Sequence, residues 1–252
     1  NSSRTFVSWN WKAGTTGSGT TTGSGTGKSY NYSVSTASGF SVVKYLGNGT
    51  GGHTIPHHLG AVPKMIFVKR TDSTNNWTVY HQSTGNTHGS YLDTDAAQVD
   101  SDAFWNDTTP TSSVFTLGDG ASVNNSSGTY IAYCFAEKRG YCKFNSYTGN
   151  GNANGTFIYT GFKPAFVIIK QTNTTNDWFV WDNKTSPYNV TNAYLRANTS
   201  GAAGSYDWLD LVSNGIKIKN TSSGANTSGG SYIYMAFGQS LVGSNNVPCT
   251  AR

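Results

Sequence analysis

The sequence predicts an all-β protein made of two tandem modules, each a β-sandwich of the jelly-roll type. Three observations support this prediction: the composition, the apolar stretches and an internal repeat. Only 12% of the 252 residues are charged and Glu137 is the single glutamate, whereas helices favour Ala, Leu, Glu, Lys and Arg. The apolar stretches are rich in Val, Ile, Phe, Tyr and Trp, which favour strands, and Gly, Ser, Thr and Asn crowd the segments between them.

The second half of the chain repeats the first. Trp77 lies 101 residues before Trp178, and the other matches pair residues 45–49 with 147–151, 60–69 with 161–170, 75–80 with 176–181, and 128–135 with 230–237. A period near one hundred residues is the length of a whole domain. The sequence therefore predicts a leading segment over 1–29, one β-sandwich module over 30–140, and a second module with a short C-terminal tail over 141–252.

The leading segment divides into two parts. Residues 4–12 (Arg-Thr-Phe-Val-Ser-Trp-Asn-Trp-Lys) resemble the closing strand of each module, which predicts a leading strand from a preceding module of a longer protein. The alternative is an ordinary strand of the first module. Residues 13–29 are almost entirely Gly, Thr and Ser and are predicted to form a linker or long loop, because such a stretch is too poor in apolar residues to pack.

Strands are placed by apolar runs and turn residues. Continuous runs such as 65–68 (Met-Ile-Phe-Val) indicate strands that are buried on both faces. In the first module the strands are expected at 40–45, 64–69, 77–80, 113–117 and 129–136. In the second module they are expected at 143–147, 156–159, 165–170, 178–182, 215–219 and 231–238.

Charge and cysteine content restrict the classes of partner. The net charge of +5 is spread along the chain without a basic cluster, so we expect no nucleic-acid partner. There is no long hydrophobic run, so we expect no membrane span. Cys134, Cys142 and Cys249 are an odd number, which leaves at least one thiol unpaired within a monomer. Cys134 falls in a predicted core strand, and a disulfide between the other two stays open.

The histidines do not predict a metal site. All five lie in the first module, and His53, His57 and His58 fall within six positions. This run contains Pro56 and has no nearby Cys or Glu to complete a tetrahedral site, and the second module keeps the repeated motifs without any histidine. We therefore predict no metal and no cofactor.

Paired carboxylates would indicate a glycosidase, which needs two carboxyl groups on either side of the scissile bond. The candidate pairs are Asp93 with Asp95, Asp100 with Asp102, and Asp207 with Asp210. Each pair lies in a predicted loop, where Asp commonly caps turns, and the pairs do not recur in the repeat. No catalytic residue is predicted, and we expect a protein that is not an enzyme.

Aromatic residues predict a binding surface. The chain has seven Trp and 15 Tyr, whose flat faces suit stacking on sugar rings or anchoring a partner. Trp77 and Trp178 recur in the repeat and are assigned to the module cores. The predicted ligand-binding residues lie in the variable, loop-rich stretches: Trp105, Trp208, Tyr91, Tyr188, Tyr194 and Tyr206.

A combination of motifs carries a family resemblance. Residues 39–49 (Gly-Phe-Ser-Val-Val-Lys-Tyr-Leu-Gly-Asn-Gly), 57–63, 77–81, 110–115 and 130–136 resemble an uncharacterised module repeated in large structural proteins of marine tailed phages. The resemblance covers both modules and the leading strand. The second module departs from it by placing Asp182 where the first has His81. No catalytic residues follow from it.

The resemblance implies a place and a general role. The place is the virion surface, hence extracellular, and the role is to form part of a tail or capsid fibre. By analogy with such fibres, the partners are further copies of the chain, for example in a trimer, and other virion proteins. Two alternatives stay open. One is a carbohydrate-binding module that recognises a host-surface glycan as receptor through its loop aromatics, and the other is a glycan depolymerase.

Overall fold

The structure, a computed structural model that describes residues 6–238, is all-β and of the sandwich type, as the sequence predicts. The first repeat contains β1 (Thr15–Thr20), β2 (Thr22–Gly23), β3 (Ser29–Ser35), β4 (Phe40–Leu46), β5 (His53–Pro56), β6 (Pro63–Arg70), β7 (Thr78–His81), β8 (His88–Tyr91), β9 (Val99–Asp100), α1 (Asp102–Trp105), β10 (Val114–Leu117), α2 (Ala121–Asn124) and β11 (Thr129–Ala136). The second contains β12 (Cys142–Thr148), β13 (Phe157–Tyr159), β14 (Pro164–Gln171), β15 (Trp178–Asp182), β16 (Thr191–Arg196), β17 (Gly204–Val212), β18 (Gly215–Ile218) and β19 (Ser231–Gly238).

The first repeat is a sandwich of two antiparallel sheets. The larger sheet has the order β1-β3-β4-β11-β6-β7-β8-β9, and the smaller has the order β10-β5-β2. Inward-facing side chains of the two sheets form one core, which includes Val43, Ile55, Val68, Phe115 and Tyr130. This arrangement follows from strand alternation, which sends every second side chain toward the opposite sheet.

The second repeat builds its sandwich from a single sheet. The order is β12-β19-β14-β15-β16-β17-β18-β13, and the sheet folds over so that β14 and β15 face β17, β18 and β13. Val167, Trp181, Leu209, Ile216 and Ile158 meet in its core. Strand β17 pairs with β16 on one side and β18 on the other. In the first repeat the corresponding stretch forms β9 and α1, so the two sheets remain separate.

A third core joins the two repeats. The outer faces of the large sheets pack against each other through Met65, Phe135, Phe166, Trp178 and Phe237, all of them buried. This explains why strands such as β6, β14 and β19 are apolar on both faces. Trp178, which the sequence assigns to the core of its own module, therefore lies in the core between the two, and Trp77 packs against that core from a partly buried position.

Several hydrogen bonds cross between the repeats. The indole N–H of Trp178 donates to the carbonyl of Tyr91 at 2.8 Å, and the Lys170 ammonium donates to the carbonyl of Asp95 at 2.8 Å. The His81 ring lies 3.2 Å from the carbonyl of Tyr234. These bonds satisfy polar groups at an otherwise apolar contact and fix how one repeat sits on the other.

The predicted leading strand is not present in its described part. Residues 6–14 have no regular secondary structure, and Arg4 and Thr5 lie outside the described residues. Trp9 and Trp11 instead pack on the inter-repeat core, with ring centroids 5.2 and 5.4 Å from that of Phe166. The aromatic pattern reflects burial at this contact and not the alternation of a strand.

The predicted linker over 13–29 is also corrected, because it contains β1 and β2. Strand β1 pairs with β3 in a register that places Gly17 opposite Tyr32 and Gly19 opposite Tyr30. A Cβ atom on Gly17 would lie 2.6 Å from the Tyr32 hydroxyl oxygen, and one on Gly19 would lie 2.8 Å from that of Tyr30. The glycines thus let two tyrosine rings lie across the strand. Composition alone predicts a flexible segment here, because it does not show that the glycines make room for these rings.

The apolar strands agree with their predicted positions within about two residues, and 129–136, 178–182 and 231–238 coincide with β11, β15 and β19. The strands without a prediction are β1, β2, β3, β5, β8, β9, β16 and β17. Most of these are short or rich in polar residues, as in Ser29–Ser35 and Thr191–Arg196. Pairing with neighbouring strands holds them in place, and this pairing cannot be predicted from the local pattern of residues.

Candidate functional site

The strongest repeated motif has a structural role. In Tyr-x-Gly-Asn-Gly the Asn48 backbone N–H donates to the buried side chain of Asn124 at 2.9 Å, and in the second repeat Asn150 does the same to Asn226 at 2.9 Å. The Asn226 amide donates in turn to the carbonyls of Asn152 at 2.8 Å and Asn220 at 2.7 Å. We call each arrangement an asparagine clasp. The sequence analysis assigned no role to Asn124 and Asn226, although they occupy equivalent positions 102 residues apart.

The histidine run holds the first repeat together. The Asn48 amide donates to His53 Nδ1 at 2.8 Å, and the other ring nitrogen of His53 lies 2.8 Å from the Thr21 hydroxyl. His58 stacks on Tyr32 with ring centroids 3.6 Å apart. His57 receives a backbone N–H at Nδ1 and faces the carbonyl of Thr111 at 3.2 Å. Within residues 6–238 no three metal-binding side chains come together, and His53 and His58 secure the segment that contains β2 and β3.

Trp105 and Trp208 do not lie on a binding surface. Both are buried. Trp105 belongs to the core of the first repeat, where its indole N–H donates to the carbonyl of His88 at 3.2 Å. Trp208 packs on Trp181 with ring centroids 5.5 Å apart. Their polar sequence surroundings suggested loops, but α1 and β17 carry the two indoles inward, so the ligand-binding prediction is wrong for both.

Tyr91 and Tyr194 are partly buried. The ring of Tyr91 packs edge-on against Phe104 at 5.8 Å, and that of Tyr194 packs against Trp208 at 5.3 Å. The guanidinium of Arg196 lies 5.3 Å from the Tyr194 ring centroid, a geometry suited to cation–π attraction. These two tyrosines cover the cores and offer little free ring surface to a ligand.

Tyr188 and Tyr206 are the two predicted residues that stand open to solvent, with 83% and 55% of their surfaces exposed. Two adjoining hollows share Asp207: one of about 420 Å³ includes Tyr188 and Asn192, and one of about 500 Å³ includes Tyr206 and Lys219. We call this surface the tyrosine patch. It combines two exposed aromatic rings with amide, carboxylate and ammonium groups, the side chains that recognise the faces and hydroxyls of sugars.

The carboxylate pairs have structural contacts. Asp93 accepts the backbone N–H of Trp77 at 3.0 Å, and Asp102 lies in the first turn of α1. The Asp210 carboxylate lies 3.6 Å from the Lys219 ammonium. Asp207 is the member of the three pairs that reaches the tyrosine patch.

A cleft of about 750 Å³ opens at the margin of the third core. Trp9 and Trp11 line it together with apolar side chains of both sheets, such as Tyr133 and Ile168, and Arg196 lies on its lining. The Arg196 guanidinium is paired with the Asp177 carboxylate at 2.9 Å. The walls suit an apolar group, and the two indoles already cover part of the opening.

Both described cysteines are buried free thiols, Cys134 and Cys142. Burial raises the pKa of the Cys134 thiol well above its usual range and that of Cys142 to about 11, so both are protonated and unreactive near neutral pH. The open pairing of Cys142 with Cys249 involves a residue outside the described part of the chain.

Fold and surface together define an all-β protein with two sandwich repeats and exposed aromatic surface. Residues 1–240 match the family described as a domain of unknown function, DUF7483. The chain therefore belongs to this family. No curated protein and no solved structure matches it. Across residues 6–238, no helix has the length and apolar character needed to cross a membrane.

Proposed function

We propose that this chain is a non-enzymatic structural protein of a phage virion, part of a tail or capsid fibre exposed on the particle surface. The observation that carries the proposal is the third core, in which Phe135, Phe166, Trp178 and Phe237 join two repeats into one unit. An apolar contact of this kind gives a doublet with a fixed geometry, in contrast to modules on flexible linkers. Such a unit suits a fibre, in which a fixed geometry between successive repeats keeps the fibre extended from the particle.

The composition and the phage resemblance support the same proposal. The partners are other virion proteins and further copies of the chain, and the location is the virion surface. In this proposal the residues that recur in both repeats maintain the fold, as the asparagine clasps do. The residues that differ between the repeats make the contacts with partner proteins.

Immunogold labelling tests the location. An antibody raised against the purified chain is applied to particles from a phage that encodes it. We expect gold on the tail or capsid fibres of intact particles, because the proposal places the chain at the surface. Label that stays in the host lysate and leaves purified particles bare would overturn the proposal, as would the release of reducing ends when the purified chain is incubated with host polysaccharide.

A second candidate function is recognition of a host-surface glycan at the tyrosine patch. Its specific support is that Tyr188 and Tyr206 expose their rings beside Asp207 and Lys219. Sugar rings stack on exposed aromatic faces, while their hydroxyls bond to nearby amide and charged groups. In this version the fibre carries its own receptor-binding surface.

Replacing Tyr188 or Tyr206 by Ala is expected to weaken glycan binding by about five- to thirtyfold, because a stacking contact of about 1 to 2 kcal/mol would be lost. A glycan array identifies the sugar, and calorimetry with the soluble oligosaccharide measures the dissociation constant. Tyr159→Ala is the matched control, since Tyr159 is 63% exposed but does not line the patch. Equal losses in all three variants, or no binding by the wild type, would rule out the tyrosine patch.

A further inference from the structure

The two repeats differ in how their outer strands are covered. In the first repeat β3 pairs with the outer edge of β4, and β2 pairs with the outer edge of β5. In the second repeat β12 is the equivalent of β4, because Tyr147 corresponds to Tyr45, and β13 is the equivalent of β5, because Ile158 corresponds to Ile55. Among the described residues β12 and β13 are the terminal strands of their sheet. Two edges that hold a strand in the first repeat therefore have none in the second within residues 6–238.

The edge of β12 is protected by nearby groups. The contacts on this edge are Cys142 N–H to the Lys138 carbonyl at 3.0 Å, the Gln82 amide to the Phe144 carbonyl, Ser146 N–H to Asn145 Oδ1 at 2.9 Å, and the Thr156 hydroxyl to the Thr148 carbonyl at 2.9 Å. These bonds take the place of a neighbouring strand. Natural sheets commonly block exposed edges in such ways.

Among the described residues, no such groups protect the edge of β13. The Ile218 N–H donates to the Thr156 carbonyl at 3.1 Å, and the Thr160 N–H donates to the Asn214 carbonyl at 3.0 Å. Even-numbered residues therefore turn their backbone groups toward β18. Because these groups alternate along an antiparallel strand, those of Phe157 and Tyr159 point away from the sheet, and they have no hydrogen-bond partner within residues 6–238.

The side chains at these positions suit an apolar partner. Phe157 is 45% exposed and Tyr159 is 63% exposed. Among the edge strands of the described sheets, β13 is the one that has two exposed aromatic residues. At the position of Phe157 the first repeat has Thr54, whose hydroxyl lies 2.8 Å from that of Thr22 on the covering strand. The partner of β13 must therefore present apolar side chains where β2 presents a hydroxyl.

We propose that β13 pairs antiparallel with β13 of a second copy of this chain, about a two-fold axis at Ile158. The strand complements itself, because this register places Phe157 of each copy opposite Tyr159 of the other. Both residues of each pair have outward backbone groups, so each pair exchanges two hydrogen bonds and joins two aromatic rings. Such an isologous contact closes after two copies. The proposal rests on the comparison of the repeats and not on the virion assignment, so either can fail alone.

Tyr159→Pro tests the pairing in the full chain. The N–H at this position has no partner within residues 6–238, so proline removes a donor to the second copy while leaving the bonds to β18 intact. In sedimentation velocity over a concentration series, we expect the wild type to reach twice the mass of one chain. The variant is expected to dimerise at least tenfold more weakly. Tyr206→Ala, which removes an exposed tyrosine from β17, is expected to dimerise like the wild type.

Two further measurements keep the test decisive. If Tyr159→Pro does not fold, the double variant Phe157→Lys/Tyr159→Lys replaces it, because pairing would place an ammonium of each copy directly opposite one of the other copy, and such like-charge pairs are destabilising. In a Cys249→Ser background, Phe157→Cys chains mixed with Tyr159→Cys chains are expected to form a disulfide faster than either variant alone, since the register pairs 157 with 159. A wild type that stays monomeric, dimers unaffected by the edge variants, or preferential like-with-like crosslinking would overturn the proposal.

Discussion

Replacing Asn226 by Ala is expected to lower the free energy of unfolding by about 3 kcal/mol, which is a large effect for one substitution. The fully buried Asn226 side chain accepts from Asn150 and donates to the carbonyls of Asn152 and Asn220. Alanine would leave these backbone groups without partners in a buried site, where an unsatisfied group costs more than the bond itself contributed. Guanidinium chloride denaturation measures the change.

Asn124→Ala is the internal replicate, because Asn124 accepts from Asn48 and donates to the carbonyls of Thr50 and Gly118. Asn154→Ala is the control, since Asn154 is exposed. We expect similar losses for Asn124 and Asn226 and little change for Asn154. A loss below about 1 kcal/mol at both clasps would mean that water replaces the amide without strain.

The protein is expected to lose stability as the pH falls from about 6.5 to about 4. Burial lowers the pKa of both His57 and His81 to about 4. In that interval the unfolded chain binds protons at these positions and the folded chain does not, so the free energy of unfolding decreases with falling pH. Each histidine contributes a decrease of about 3 kcal/mol at most, complete near pH 4 and absent above pH 6.5.

Burial is the main cause of the low pKa of His81, and the hydrogen bond at Nδ1 also opposes a second ring proton. The ring accepts the Ser83 N–H at Nδ1 at 3.1 Å, so the remaining proton sits on Nε2 and faces the carbonyl of Tyr234 in the other repeat. A second proton on Nδ1 would meet an N–H group. At the equivalent position, Asp182 accepts the N–H groups of Lys184 and Thr185, each at 2.8 Å. Both side chains cap the turn after their strand, which accounts for the exchange of His for Asp.

Denaturation of the wild type and of the double variant His57→Gln/His81→Gln at pH 7, 5.5 and 4.5 measures the effect. The variant is expected to be less stable at pH 7 and to depend less on pH over this interval. His88→Gln, which removes a histidine with a partly exposed ring, is the control. Parallel pH profiles for the wild type and the double variant would show that these histidines do not cause the dependence.

The candidate surface could be predicted only in part. Tyr188 and Tyr206 are exposed as expected, while Trp105 and Trp208 are buried and Tyr91 and Tyr194 are partly buried. All six lie in polar stretches of sequence, which suggested loops. Burial of an indole in α1 or β17 depends on the sheet packed over it, and local composition carries no record of that sheet.

The sequence by itself determined the all-β class, the duplication near one hundred residues and the positions of the most apolar strands. These are recorded locally, in residue type and in alternation along the chain. Only the tertiary structure decided that the outer faces of the two repeats form a third core, that the Gly- and Thr-rich segment 15–20 is a strand, and that, within residues 6–238, one edge of β13 has no neighbouring strand. The physical reason is that the pattern of apolar residues in a strand shows which of its faces must be buried, while the elements that bury those faces come from distant parts of the chain.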